Sequence, residues 1–75
     1  MGQLKELYEF FIEEHLDWIK LKNEENKVLQ RIREKNQSNW KIVESCREIM
    51  FENARFIDIL RRDVENDRKQ IKEFG

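Results

Sequence analysis

With 75 residues the chain holds one domain at most. Charged residues make up 41% of it and apolar residues 39%, and the apolar ones are large (eight Ile, six Leu, five Phe, two Trp), a content too rich for a disordered segment. The formal net charge of −1 leaves no whole-molecule field to draw in nucleic acid or an anionic membrane, the lone Cys46 excludes an intrachain disulfide, and apolar runs such as Phe10-Phe11-Ile12 are far too short to span a bilayer.

Met1-Gly2-Gln3 leads into a polar segment with no secretory apolar stretch. Position 6 is Glu6, where N-myristoylation wants Ser or Thr. Cytoplasmic residence is the expectation. No Pro occurs, and the two glycines, Gly2 and Gly75, stand at the ends, so nothing between them interrupts a helix.

The first helix is expected over about residues 3–35 from apolar residues at helical spacing. Leu4, Leu7, Phe11, Trp18, Leu21, Val28, Leu29 and Ile32 form one stripe, taken as the face that meets a second helix. The stripe lapses from Lys22 to Glu25, and Asn23 could cap a new helix there. Without Gly or Pro to support a break, one continuous helix is the favoured reading.

A joint is expected at about residues 36–40. Asn36 can end the first helix in the left-handed conformation, and Ser38 or Asn39 can cap the next. So short a connection forces an antiparallel hairpin. The charges agree, because Glu6, Glu9, Glu13, Glu14 and Asp17 would then lie beside Arg61, Arg62, Arg68, Lys69 and Lys72.

The second helix is expected over about residues 40–73. One heptad position recurs as Val43, Met50, Ile57, Val64 and Ile71, the other as Cys46, Asn53, Leu60, Asp67 and Phe74. Eight of these ten residues are apolar, which is a coiled-coil pattern; the exceptions are the polar Asn53 and Asp67, of which Asn53 suits a device that selects register. The fold class expected is therefore all-α: an antiparallel, coiled-coil-like hairpin of two long helices.

Apolar residues are left over. Tyr8, Ile12, Leu16 and Ile19 make a second strip on the first helix, and Ile49, Phe56 and Ile59 lie outside the seam of the second. One seam between two helices buries too little area to offset the ordering of 75 residues. The hairpin is accordingly expected to pair with another protein or with itself, as a homodimer closing a four-helix bundle. Tyr8, Ile12, Leu16, Ile19, Ile49, Phe56 and Ile59 are the residues assigned to that partner or dimer interface.

Catalytic chemistry finds no support. His15 is the single histidine, and position 12, where a Glu-x-x-His metal element needs its acid, is Ile12. Cys46 sits at a core heptad position as a small buried hydrophobe, with no base placed to activate it. The carboxylates follow surface spacing, and no Gly-rich phosphate loop exists. No enzyme activity, cofactor, metal or small-molecule substrate is expected. The functional expectation is a protein-interaction module, such as an adaptor, small inhibitor or helical chaperone.

One feature supports a different class. Arg31, Arg33, Lys35, Trp40, Lys41 and Arg47 gather around the joint, a basic cluster with an aromatic in it, which is the composition of a nucleic-acid contact. Glu34, Glu44 and Glu48 dilute it, and cations at a helix C-terminus are ordinary. Trp40 is read first as a plug over the bundle end, with an exposed partner anchor as the alternative. A third reading makes the chain a structural subunit of a larger assembly.

Overall fold

Without interior Pro or Gly, the chain folds as two long helices. The computed structural model describes residues 2–74, with side-chain burial for residues 4–73. Helix α1 runs Gly2–Lys35 and helix α2 runs Trp40–Phe74, and the described residues contain no strand. Helix α1 passes through Asn23–Asn26 without a break. The expected core position at Phe74 lies outside the residues whose side chains are described.

The joint works differently from the expected left-handed cap. No described residue has a positive φ. Instead the Asn36 amide group reaches back and donates from Nδ2 to the Ile32 carbonyl at 2.8 Å, satisfying one of the last carbonyls of α1. The Asn36 and Asn39 N–H groups donate to the carbonyls of Arg33 (3.3 Å) and Asn36 (2.9 Å), tightening the turn by three-residue steps. Asn39 then caps α2, its Oδ1 accepting from the Ile42 N–H at 3.4 Å and its carbonyl from the Val43 N–H at 3.1 Å.

The two helices lie antiparallel, as the contacts between them require: Asn53 meets Asn26, and further from the joint Asp67 meets His15. The result is a rod of 57 × 14 × 11 Å. Its radius of gyration is 17.0 Å, whereas a compact chain of this length has about 11 Å. Its surface is 6228 Å², against about 5,000 Å² for a compact chain of this mass.

The seam is thin. Cys46, Asn53, Ile57, Leu60 and Val64 are buried on α2, in the heptad positions expected of them. On α1 the buried residue is Ile19, 8% exposed and clustered with Ile57 and Leu60. Among the described residues no large side chain is completely enclosed.

Two polar layers interrupt the seam. Asn53 Nδ2 donates to Asn26 Oδ1 at 2.8 Å and to Glu25 Oε1 at 3.1 Å. His15 Nδ1 stands 3.8 Å from Asp67 Oδ2, too far for a hydrogen bond, and both atoms are buried with no other partner. His15 thus faces a carboxylate across the seam. The expected ladder of Lys or Arg to Asp or Glu does not form: among the described residues the one such pair within 4 Å is Lys22–Glu25, inside α1. The reason lies in α2, where acids and bases are interspersed and neither half carries a net charge to attract a block on α1.

Candidate interaction face

Helix α1 carries two stripes at the same coiled-coil spacing, offset by one residue and therefore by about 100° around the helix. The first is Tyr8, Ile12, His15, Ile19, Lys22, Asn26, Leu29 and Arg33. The second is Leu4, Leu7, Phe11, Glu14, Trp18, Leu21, Glu25, Val28 and Ile32. The first, with four apolar members, faces α2, and each of its residues is buried or half-buried. The second has seven apolar members, and all of them are exposed, Trp18 at 48% and Leu21 at 55%.

This reverses the expected assignment on α1. Tyr8, Ile12 and Ile19 belong to the inner seam, so they are not the free strip that they were taken to be. Leu16 is exposed, but it follows His15 in the chain and so lies on the opposite flank from Trp18. Leu4, Leu7, Phe11, Trp18, Leu21, Val28 and Ile32, taken as the seam, face outward. Periodicity alone could not choose between stripes of identical spacing. The choice follows from the polar residues of α2. Buried Asn53 needs a hydrogen-bond partner, which Asn26 supplies, and an orphaned buried polar group costs about 1–3 kcal/mol. Asn26 and His15 sit on the first stripe. The second stripe's polar members are Glu14 and Glu25; Glu25 also accepts from Asn53, but neither carboxylate could serve Asp67. The signal was present in the sequence as matched polar interruptions on the two helices.

On α2, Ile49, Phe56 and Ile59 are exposed as expected. Phe56 also fixes which side they share with α1. Its ring meets the Trp18 ring edge to face, with centroids 6.5 Å apart and planes at 87°, and Lys22 Nζ lies 5.6 Å from its centroid. Trp18, Lys22, Glu52, Asn53 and Phe56 line a shallow recess of about 320 Å³ there. Ile49 is one helical repeat from Phe56 and falls on the same flank, and Ile59 stands one turn beyond. The second stripe of α1 and the surplus residues of α2 therefore share one side of the rod, joined at Trp18 and Phe56, with Glu14, Glu25 and Glu52 among the apolar residues. Along α1 the Tyr8 and Phe11 rings, 6.2 Å apart at 87°, close its inner edge.

No family model, curated protein or solved structure matches this chain.

The basic cluster at the joint is spread around the rod's end. Arg31, Lys35, Lys41 and Arg47 are exposed and Arg33 is half-buried. Arg33 and Arg47 border a groove of about 520 Å³ with Gln30, Glu34, Gln37 and Val43. Trp40 does not plug the bundle end. It is 71% exposed, with Lys41 Nζ 6.0 Å above its ring, because it stands at the first position of α2, where no turn of helix precedes it to be covered. Cys46 is buried and unbridged. Among the described residues no three His, Cys, Asp or Glu side chains gather as a metal site, and no helix is long and apolar enough to cross a membrane.

Proposed function

We propose that the protein is a non-enzymatic interaction module that buries the apolar side of its hairpin against another protein's helices, completing a four-helix bundle. The observation that carries this reading is that the more apolar of the two α1 stripes is the one left outside. A monomer that worked alone would gain by turning that stripe inward. Leaving it exposed makes sense if a partner covers it, since patches of this extent on soluble proteins mark association sites.

The test separates the outer stripe from the seam. Leu21→Glu with Val28→Glu changes residues that are exposed in the hairpin. The double variant is expected to lose association, read as particle mass by light scattering and as capture of protein from native lysate. A variant with wild-type mass, melting temperature and capture would make the stripe inert and the reading wrong.

A second reading, contact with single-stranded nucleic acid at the joint, is favoured by the exposed Trp40 and the lysine beside its ring. On that reading, Arg31→Ala, Lys35→Ala and Lys41→Ala together lower affinity for a random oligonucleotide and flatten its salt dependence. On the main reading the same substitutions leave partner binding intact.

A further inference from the structure

The interaction reading leaves the occupant of the outer stripe open, and the charge pattern identifies it. The stripe runs from Leu4 to Ile32, nearly the whole of α1, so its cover is a long helix with an apolar face of equal reach. Helix α1 is strongly dipolar. Residues 5–17 carry five acids and one base, and residues 20–35 carry six bases and three acids. Helix α2 offers no match: residues 41–55 hold three of each sign and residues 58–73 hold five of each. Toward its C-terminus the exposed Asn66 and the half-buried Asp63 and Gln70 are polar as well.

We propose, resting on the interaction reading, that α1 is covered by α1 of a second copy, antiparallel to it across a two-fold axis near Trp18. That axis is the midpoint of the stripe. It sets the acidic half of each α1 on the basic half of the other, with Leu4 opposite Ile32 and Phe11 opposite Glu25 of the second copy. The two stripe positions that are not apolar, Glu14 and Glu25, then avoid each other. A self-complementary patch of this kind closes a dimer with no open end. Pairing α1 with α2 of the second copy would instead place Leu4 to Phe11 on the polar end of α2.

Spin-label distances test the arrangement on a folded surface. In a Cys46→Ala background, one label goes at Asp17→Cys beside the axis or at Glu6→Cys near the helix end. Twelve residues at about 1.5 Å each put Glu6 some 18 Å from the axis, so its two labels are expected roughly 36 Å or more apart, and the Asp17 labels far closer. Light scattering is expected to give twice the 9.4 kDa chain mass. Changing Glu6, Glu13 and Asp17 to Lys is expected to weaken self-association at least about tenfold. Mixing that variant with Lys20→Glu, Lys27→Glu, Arg31→Glu restores a dimer. Short distances at both label sites mean a parallel pair and overturn the proposal, as does a mixture that stays monomeric. A monomeric wild type also overturns it. If the Leu21→Glu, Val28→Glu variant still loses protein capture in that case, the interaction reading survives. If that variant changes nothing, both fall.

Discussion

Asn53 occupies a core heptad position where an aliphatic side chain would bury more apolar area, and it is held there by two hydrogen bonds to α1. Such a residue selects register, because a slip of the helices would leave its amide buried and unpaired. Asn53→Ala is expected to lower stability by about 1–3 kcal/mol in urea unfolding. A double-mutant cycle with Asn26→Ala is expected to show coupling of about 0.5–3 kcal/mol. Additive losses would mean that the pair carries no register information. His15 and Asp67 form the weaker polar layer, at 3.8 Å with no hydrogen bond. His15→Leu alone leaves the Asp67 carboxylate buried without its neighbour, so it is expected to destabilise more than His15→Leu combined with Asp67→Leu. Thermal melts of the two variants give the ranking.

Helix α1 is the element whose two faces have different work. Its inner stripe is the poorer in apolar residues and makes the hairpin; its outer stripe is the richer and is exposed. Substitutions on the two faces are therefore expected to differ in kind. Ile12→Glu with Ile19→Glu puts charge into the seam beside Ile57 and Leu60 and is expected to abolish the helical signal in circular dichroism. Leu21→Glu with Val28→Glu leaves the seam untouched and is expected to retain far more of that signal. Equal loss from both pairs would mean that the hairpin has no structure apart from its association. At the joint, the cap supplied by Asn39 is expected to contribute about 1 kcal/mol, so Asn39→Ala lowers the urea midpoint while Ser38→Ala does not.

The whole molecule is a rod two helices thick, with a single layer of contact to hold it. A radius of gyration of 17.0 Å and a seam with no fully enclosed large side chain leave it far from the burial of a compact domain. Under the proposed self-association, folding and association are linked by mass action, since anything that binds the folded rod stabilises it. The melting temperature is expected to rise with protein concentration, in scans over a wide dilution range. A melting temperature independent of concentration would mark a self-sufficient hairpin and contradict self-association.

Two long helices, the joint at Asn36–Asn39, the α2 seam and the existence of surplus apolar surface were all legible in the linear chain. They follow from local causes: the lack of interior Pro and Gly, side chains that cap a helix end, and an unbroken heptad. Which stripe of α1 turns inward was not legible from period, because Ile12 and Ile19 recur at the same spacing as Phe11 and Trp18. Tertiary structure decided it through Asn53, whose burial on α2 calls for Asn26 opposite. It likewise decided that Trp40 stands clear of the bundle end and that Phe56 lies against Trp18. A helix has many apolar faces available to it, and the choice among them is made by the polar groups that must not be buried alone.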